Sequence, residues 1–420
     1  MTTQRQRFFL FVFSSVVSTL ACGSETDAPE KAMLQLSSAA PISEISKYFA
    51  NRYFPSDVVH AFTTEFGDDV DCIPFLAQPA LRRPEMRGYK PQLAPTNPVS
   101  IQFAPPASGR TRITFDIGYR GYDEHGRVRK CPPDTVAMKH YSETMHLGFT
   151  SLKQVFAKQP TDIAPRIGST QLHQEVIAGL HIDNWGVTGG FILWNPSVDR
   201  YNEFSLEQLI SYGTNAGALQ TVEAGLQVYP TKYGDSATRF FIYSTTDNYN
   251  TGCYNNECGN FIQTPGTFCL GCAVGPYSIQ NGQHYYIDLA TWKDGDAGNW
   301  WINFADHWIG FFPRDNFHNP GLWNSASDAN FFGEIIDQNG ATLGHTKTDM
   351  GNGVFPGAGD AAEIVWMQDY PRYGSGFVTQ NSAYFGSDDR YCYDGVAPSY
   401  NTGDHEHFYL GGPGYNANCQ

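Results

Sequence analysis

The sequence predicts an all-β fold, an antiparallel sandwich or jelly roll, over its larger C-terminal part, and three observations carry that expectation. From His173 onward, short runs of aromatic and β-branched residues recur between turn residues, at 187–194, 218–229, 239–245, 261–264, 284–292, 299–304, 308–312 and 331–336. Composition agrees: charged residues make up only 16% while the chain holds 42 Gly, 29 Phe and 24 Tyr, a balance that favours strands and tight turns. Nine cysteines are present, and setting Cys22 aside leaves an even number, as disulfide pairing in an oxidising compartment requires.

Taken in order, Arg5 and Arg7 precede an apolar run from Phe8 to Val17 and then Ser18-Thr19-Leu20-Ala21-Cys22. That run is too short to span a bilayer and has the layout of an export signal, so residues 1–22 are read as a leader and the protein as secreted. Leu20-Ala21-Cys22-Gly23 also resembles a lipoprotein cleavage box, with Thr19 where an aliphatic residue is expected, so a lipid anchor at Cys22 is the alternative. Residues 42–54 read as a short amphipathic helix, 101–122 as weakly alternating strands and 151–157 as another short helix. Residues 158–167, with Pro160, Asp162 and Pro165, have linker character and set a boundary between an α+β N-terminal region, 23–164, and the β domain, 165–420. A length of 420 residues allows two such domains. The formal charge of −15, with no lysine or arginine run, argues against nucleic acid and anionic membrane as partners.

The most informative stretch is 220–263. Period-two alternation puts Thr221, Glu223, Gly225, Gln227 and Tyr229 on one face of a strand and Val222, Ala224, Leu226 and Val228 on the other. Tyr233-Gly234-Asp235 supplies a turn and 239–245 a return strand. Glu223 is the only charge between Glu207 and Lys232. A second strand glutamate, Glu334, lies between Phe332 and Ile336 on its own face, before a turn at 337–340. Poor solvation disfavours a charged carboxylate, and two neighbouring carboxylates raise one another further, which yields an acid and a base from one residue type. Gln227, two positions along Glu223's own face of the strand, is a candidate oxyanion donor and equally a plain amide.

Other chemistries find less support. There is no G-x-S-x-G elbow, H-E-x-x-H helix, P-loop or aspartic Asp-Thr/Ser-Gly pair. Lys293 to Asn299 spaces oxygen ligands as calcium loops do but lacks a closing glutamate, so a hairpin turn is expected. His405-Glu406-His407 sets two imidazoles on one strand face without a third ligand, and surface histidines are expected there; no metal site is predicted. Spacing suggests disulfides Cys72–Cys131, Cys253–Cys258, Cys269–Cys272 and Cys392–Cys419, with connectivity open.

The run 222–230, then Tyr233-Gly234-Asp235, Thr238-Arg239, 251–255, Cys258, Gly298-Asn299-Trp300-Trp301, 203–208, Gly333-Glu334, His345-Thr346, Met350-Gly351, Gly353, Phe355-Pro356 and 411–414 resembles the neprosin family of glutamic peptidases. Residues 71–81 and 131–136 resemble motifs of that family's activation peptide. The resemblance implies a concanavalin-like pair of curved sheets, catalytic glutamates at Glu223 and Glu334, and residues 23–164 as the prosegment of a zymogen. It further implies cleavage after proline in protein or peptide substrates without any cofactor, and the enzyme is expected as a monomer. Cys253–Cys258 and Cys392–Cys419 match the family's catalytic-domain bridges. Gln227, Tyr229 and Trp300 are the candidate substrate-binding residues. Paired carboxylates on a concave sheet also describe a glycosidase, and a lectin-like module without catalysis is the third reading.

Overall fold

The structure, a computed structural model, describes residues 44–97, 99–101, 103, 109–158, 173–338, 344–400 and 406–420. The leader with Cys22, the 164/165 boundary, Asn339-Gly340 and His405 lie outside the described residues. Residues 44–420 fold together as one unit.

The strands in chain order are β1 (His60–Thr63), β2 (Asp69–Pro74), β3 (Arg110–Arg112), β4 (Thr135–Lys139), β5 (His173–Ile192), β6 (Ser205–Asn215), β7 (Ala218–Val228), β8 (Arg239–Thr245), β9 (Cys253–Tyr254) and β10 (Ile262–Gln263). They continue with β11 (His284–Lys293), β12 (Trp300–Phe304), β13 (His307–Phe312), β14 (Ala326–Ile336), β15 (Ala362–Pro371), β16 (Val378–Thr379), β17 (Tyr384–Ser387), β18 (Asp394–Tyr400) and β19 (Glu406–Gly411).

The long strand β5 joins two antiparallel layers. Its first half pairs with β14, from which the sheet runs on through β6, β7 and β8 to β9. Its second half pairs with β11 on one side, leading to β12, β13 and β10, and with β15 on the other. Strand alternation turns Val222, Ala224, Leu226, Phe240 and Ile242 of the first layer toward Ile287, Leu289, Ile302, Phe304 and Phe312 of the second, in one apolar core. This is the all-β sandwich expected from the sequence.

Some elements differ from expectation. β6 and β15 carry Glu207, Gln208, Glu363, Gln368 and Asp369 in buried positions, and these polar residues mask the apolar alternation that would have marked them as strands. The turn expected at 233–235 follows a short helix that was not expected, Pro230–Tyr233, begun by Pro230 and closed by Gly234 at φ 86°. Of the weak strands expected over 101–122 the structure shows β3, which pairs in parallel with β11 and so adds the N-terminal segment to the edge of the second layer.

Residues 44–158 form an α+β cover. β1, β2 and β4 make a small sheet, and the helices Glu44–Ala50 and Leu152–Phe156 pack through Ile45, Phe49 and Val155. Ser151 caps the second helix by accepting from the Gln154 N–H at 3.3 Å, and Ala157 ends it in extended geometry. Disulfides join Cys72 to Cys131, Cys253 to Cys258, Cys269 to Cys272 and Cys392 to Cys419.

Candidate active site

β7 supplies Glu223 and β14 supplies Glu334, with β6 between them. The strand face that carries Glu223 is closed to solvent: the glutamates are 0% and 2% exposed, because the N-terminal segment covers them. Lys158, just past the capped helix, inserts its ammonium between them, 2.7 Å from Glu223 Oε2 and 2.8 Å from Glu334 Oε2. Its backbone N–H donates to the Tyr243 hydroxyl at 3.2 Å. A buried ammonium is tolerable only when paired, and two carboxylates more than offset the burial that would otherwise neutralise it.

Each glutamate is fixed through its other oxygen. Glu223 Oε1 accepts from Thr221 Oγ1 at 2.8 Å and from the Tyr249 hydroxyl at 2.9 Å. Glu334 Oε1 is bound to His173 Nδ1. Burial pushes the Glu334 carboxyl up, but Lys158 and His173 prevail and hold it down at about 2. Glu175, opposite Glu334 on β5, is lifted to about 8 by burial, reinforced by the Glu334 charge. One cation thus lies between two carboxylates, with Glu175 beside Glu334 on the neighbouring strand.

Tyr229 lies on Glu223's face in an aromatic wall with Phe204, Phe241, Tyr243, Tyr254 and Ile336, and Phe149 of the N-terminal segment meets its ring edge-on at 6.0 Å. Gln227 is on the same face, buried beside Tyr254. Trp300, read above as a substrate contact, lies instead in the core between the layers, where its Nε1–H donates to Leu322 O at 2.7 Å. Its strand presents the alternate face: a one-residue step along β12 reverses the side-chain direction.

Two further placements correct or refine the sequence reading. His407 is not a surface residue; it is buried, with Nδ1 2.5 Å from Glu363 Oε1. In the Lys293–Asn299 hairpin Lys293 Nζ itself donates to the carbonyls of Gly295, Asp296 and Gly298 at 3.1, 3.1 and 2.7 Å, so a side-chain nitrogen occupies the place that calcium-like spacing suggested.

Sequence reasoning missed Lys158, His173, Glu175 and Tyr249. Lys158 carried the least signal, one lysine at the start of a proline-containing linker. His173 and Glu175 did carry one, since alternation from His173 sets both on one strand face.

Residues 201–413, just over half of the chain, match the Neprosin family model. Among solved structures, a scytalido-glutamic peptidase bound to a transition-state analogue inhibitor aligns with a TM-score of 0.31 and 11% identity, over 56% of this chain and 97% of its own. A member of the eqolisin family of peptidases in complex with the tripeptide Ala-Ile-His aligns at 0.29 and 11%, over 57% and 96%. A homodimeric agglutinin from chicken liver aligns at 0.20 and 10%, over 39% and 96%. The family match covers β6 to β19 and includes both buried glutamates; the chain belongs to the neprosin family of glutamic peptidases.

Proposed function

We propose that the protein is a secreted, acid-active endopeptidase made as a zymogen, in which Glu223 and Glu334 form the catalytic dyad and residues 23–164 are the inhibitory prosegment. The observation that carries this reading is the Lys158 ammonium paired with both carboxylates. A single cation neutralises the two groups and fills the position a scissile peptide would need, so the covered state is inert.

When Lys158 leaves, two buried carboxyls face each other without a cation, and their first proton is retained in common. The ionised member takes a proton from water as the water oxygen bonds to the scissile carbonyl carbon. The protonated member hydrogen-bonds the developing oxyanion and delivers its proton to the amine as the C–N bond breaks. Water and two carboxyls suffice for this sequence. Which glutamate is the base is a property of the coupled pair.

The aromatic wall of Tyr229, Phe241, Tyr243 and Tyr254 offers flat apolar faces suited to a proline ring, in line with cleavage after proline. Residues 1–22 direct export, with lipidation at Cys22 as the alternative, and the enzyme acts as a monomer on proline-containing proteins or peptides. The test is incubation of the acid-treated protein with denatured protein and, separately, with polysaccharides from pH 2 to 7. Proteolysis insensitive to EDTA and to serine- and aspartic-protease inhibitors is expected; released sugar without proteolysis contradicts the reading.

A further inference from the structure

Between the two glutamates lies a side chain to which nothing above gives a role. On the ladder, Glu223 of β7 pairs with Ile210 of β6, and Glu334 of β14 pairs with Leu206 of β6. Gln208 is midway between those partners and on the same face, which makes it the diagonal neighbour of both glutamates, about 7–8 Å away at Cα in each direction. The rung through it runs Phe241, Gly225, Gln208, Phe332 and Ile177, so Gln208 carries that rung's only side-chain hydrogen-bond donor.

Gln208 is fully buried, and neither Nε2 nor Oε1 has a hydrogen-bond partner among the described residues. A buried unpaired carboxamide is destabilising, so a fold retains one where something else supplies the partner. Gly225 beside it bears no side chain; a Cβ there would strike Gln208 Cβ and the Glu207 carbonyl, so only glycine leaves Gln208 its place on this rung. The outer oxygens of both glutamates already take Thr221, Tyr249 and His173. No side chain other than Gln208 on this central rung is free to donate to a substrate oxygen.

We propose that Gln208 is a third catalytic residue, whose Nε2–H donates to the scissile carbonyl oxygen and stabilises the oxyanion as water adds. The proposal rests on the glutamate dyad. A carboxamide suits the task, since it keeps its hydrogens throughout the acid range and adds no charge beside two carboxyls. Gln227 is less well placed: it lies four residues along β7 from Glu223, and Leu206 separates it from Glu334 on their rung.

The experiment compares Q208M, Q208E, E223Q and E334Q on one peptide substrate, each after removal of the N-terminal segment by added wild-type enzyme. Q208M is expected to lower kcat about 10²–10³-fold, with KM within a few-fold of wild type. Q208E is expected to retain activity at the acid end, where a protonated carboxyl still donates, and to lose it as pH rises, a profile that a packing role would not produce. Dead glutamate variants with Q208M within three-fold of wild-type kcat overturn the proposal alone; active glutamate variants overturn the dyad reading. If Q208M does not fold, Q208E decides, and a profile superimposable on wild type, or inactivity at every pH, rejects the proposal.

Discussion

A lysine sealed from water beside two glutamates is stable only as part of the trio, and this residue-scale fact governs the chemistry on either side of activation. Removing one partner of a buried ion pair costs about 3–5 kcal/mol, because the remaining charge is stranded. In Lys158→Met the stranded charges are Glu223 and Glu334, and the cation that held Glu334 at about 2 is gone. Burial then raises that carboxyl against His173 alone, so it takes up a proton in milder acid. We expect acid-driven loss of the N-terminal segment by cleavage in the 158–167 linker to occur about 1–3 pH units higher in Lys158→Met than in wild type, read by gel and N-terminal sequencing across a pH series. An unchanged midpoint would mean that Lys158 does not hold the latch. Glu223 and Glu334 were legible in the sequence because a lone carboxylate on an alternating strand is conspicuous. Lys158 was not, because nothing local tells a buried lysine from a solvated one; its partners arrive from strands far along the chain.

At the scale of elements, the cover is fastened by ion pairs that acid releases late. Asp68, between β1 and β2, bonds Lys139 of β4 and, at 2.8 Å, Arg239 of β8, and accepts from the Ala273 N–H at 2.6 Å. Burial pushes the Asp68 carboxyl up, yet Lys139 and Arg239 hold it at about 2, below its ordinary 3.8. Glu334 is likewise depressed, from 4.5 to about 2. A carboxyl whose folded value lies below its free value contributes stability above the free value and loses it as pH falls toward the folded one. Both fastenings therefore weaken from about pH 4 down to about 2, at the acid end of the ordinary carboxyl range. With the linker already cut, residues 44–158 should stay bound at pH 5 and dissociate between pH 4 and 2, as size-exclusion chromatography at stepped pH would show. Asp68→Asn should release at higher pH; equal release profiles would remove Asp68 from the latch. Elements with clean alternation, β7, β8 and β11 to β13, were legible within a few residues. β6 and β15 were not, since both faces are buried and polar side chains point inward.

For the molecule as a whole, the sandwich was legible from recurring short strands, whereas the way β5 serves both layers was not, because pairing between distant strands leaves no local trace. The four disulfides lie on the same scale. Cys392 and Cys419, separated by 27 residues, tie down the C-terminal end after β19, and closing a loop of that size is worth about 3–4 kcal/mol. A Cys392→Ser/Cys419→Ser double variant should lose about that much in denaturant titration, and the wild-type protein should titrate no free thiol apart from Cys22. The central claim is that Glu223 and Glu334 together perform the hydrolysis. Its most direct test is the initial rate of peptide cleavage by Glu223→Gln and Glu334→Gln at the wild-type optimum, after their N-terminal segments have been removed by added wild-type enzyme that is then washed away. The account predicts that each variant folds and melts like wild type yet cleaves at least about 10²–10⁴-fold more slowly; a rate within ten-fold of wild type in either variant would contradict it.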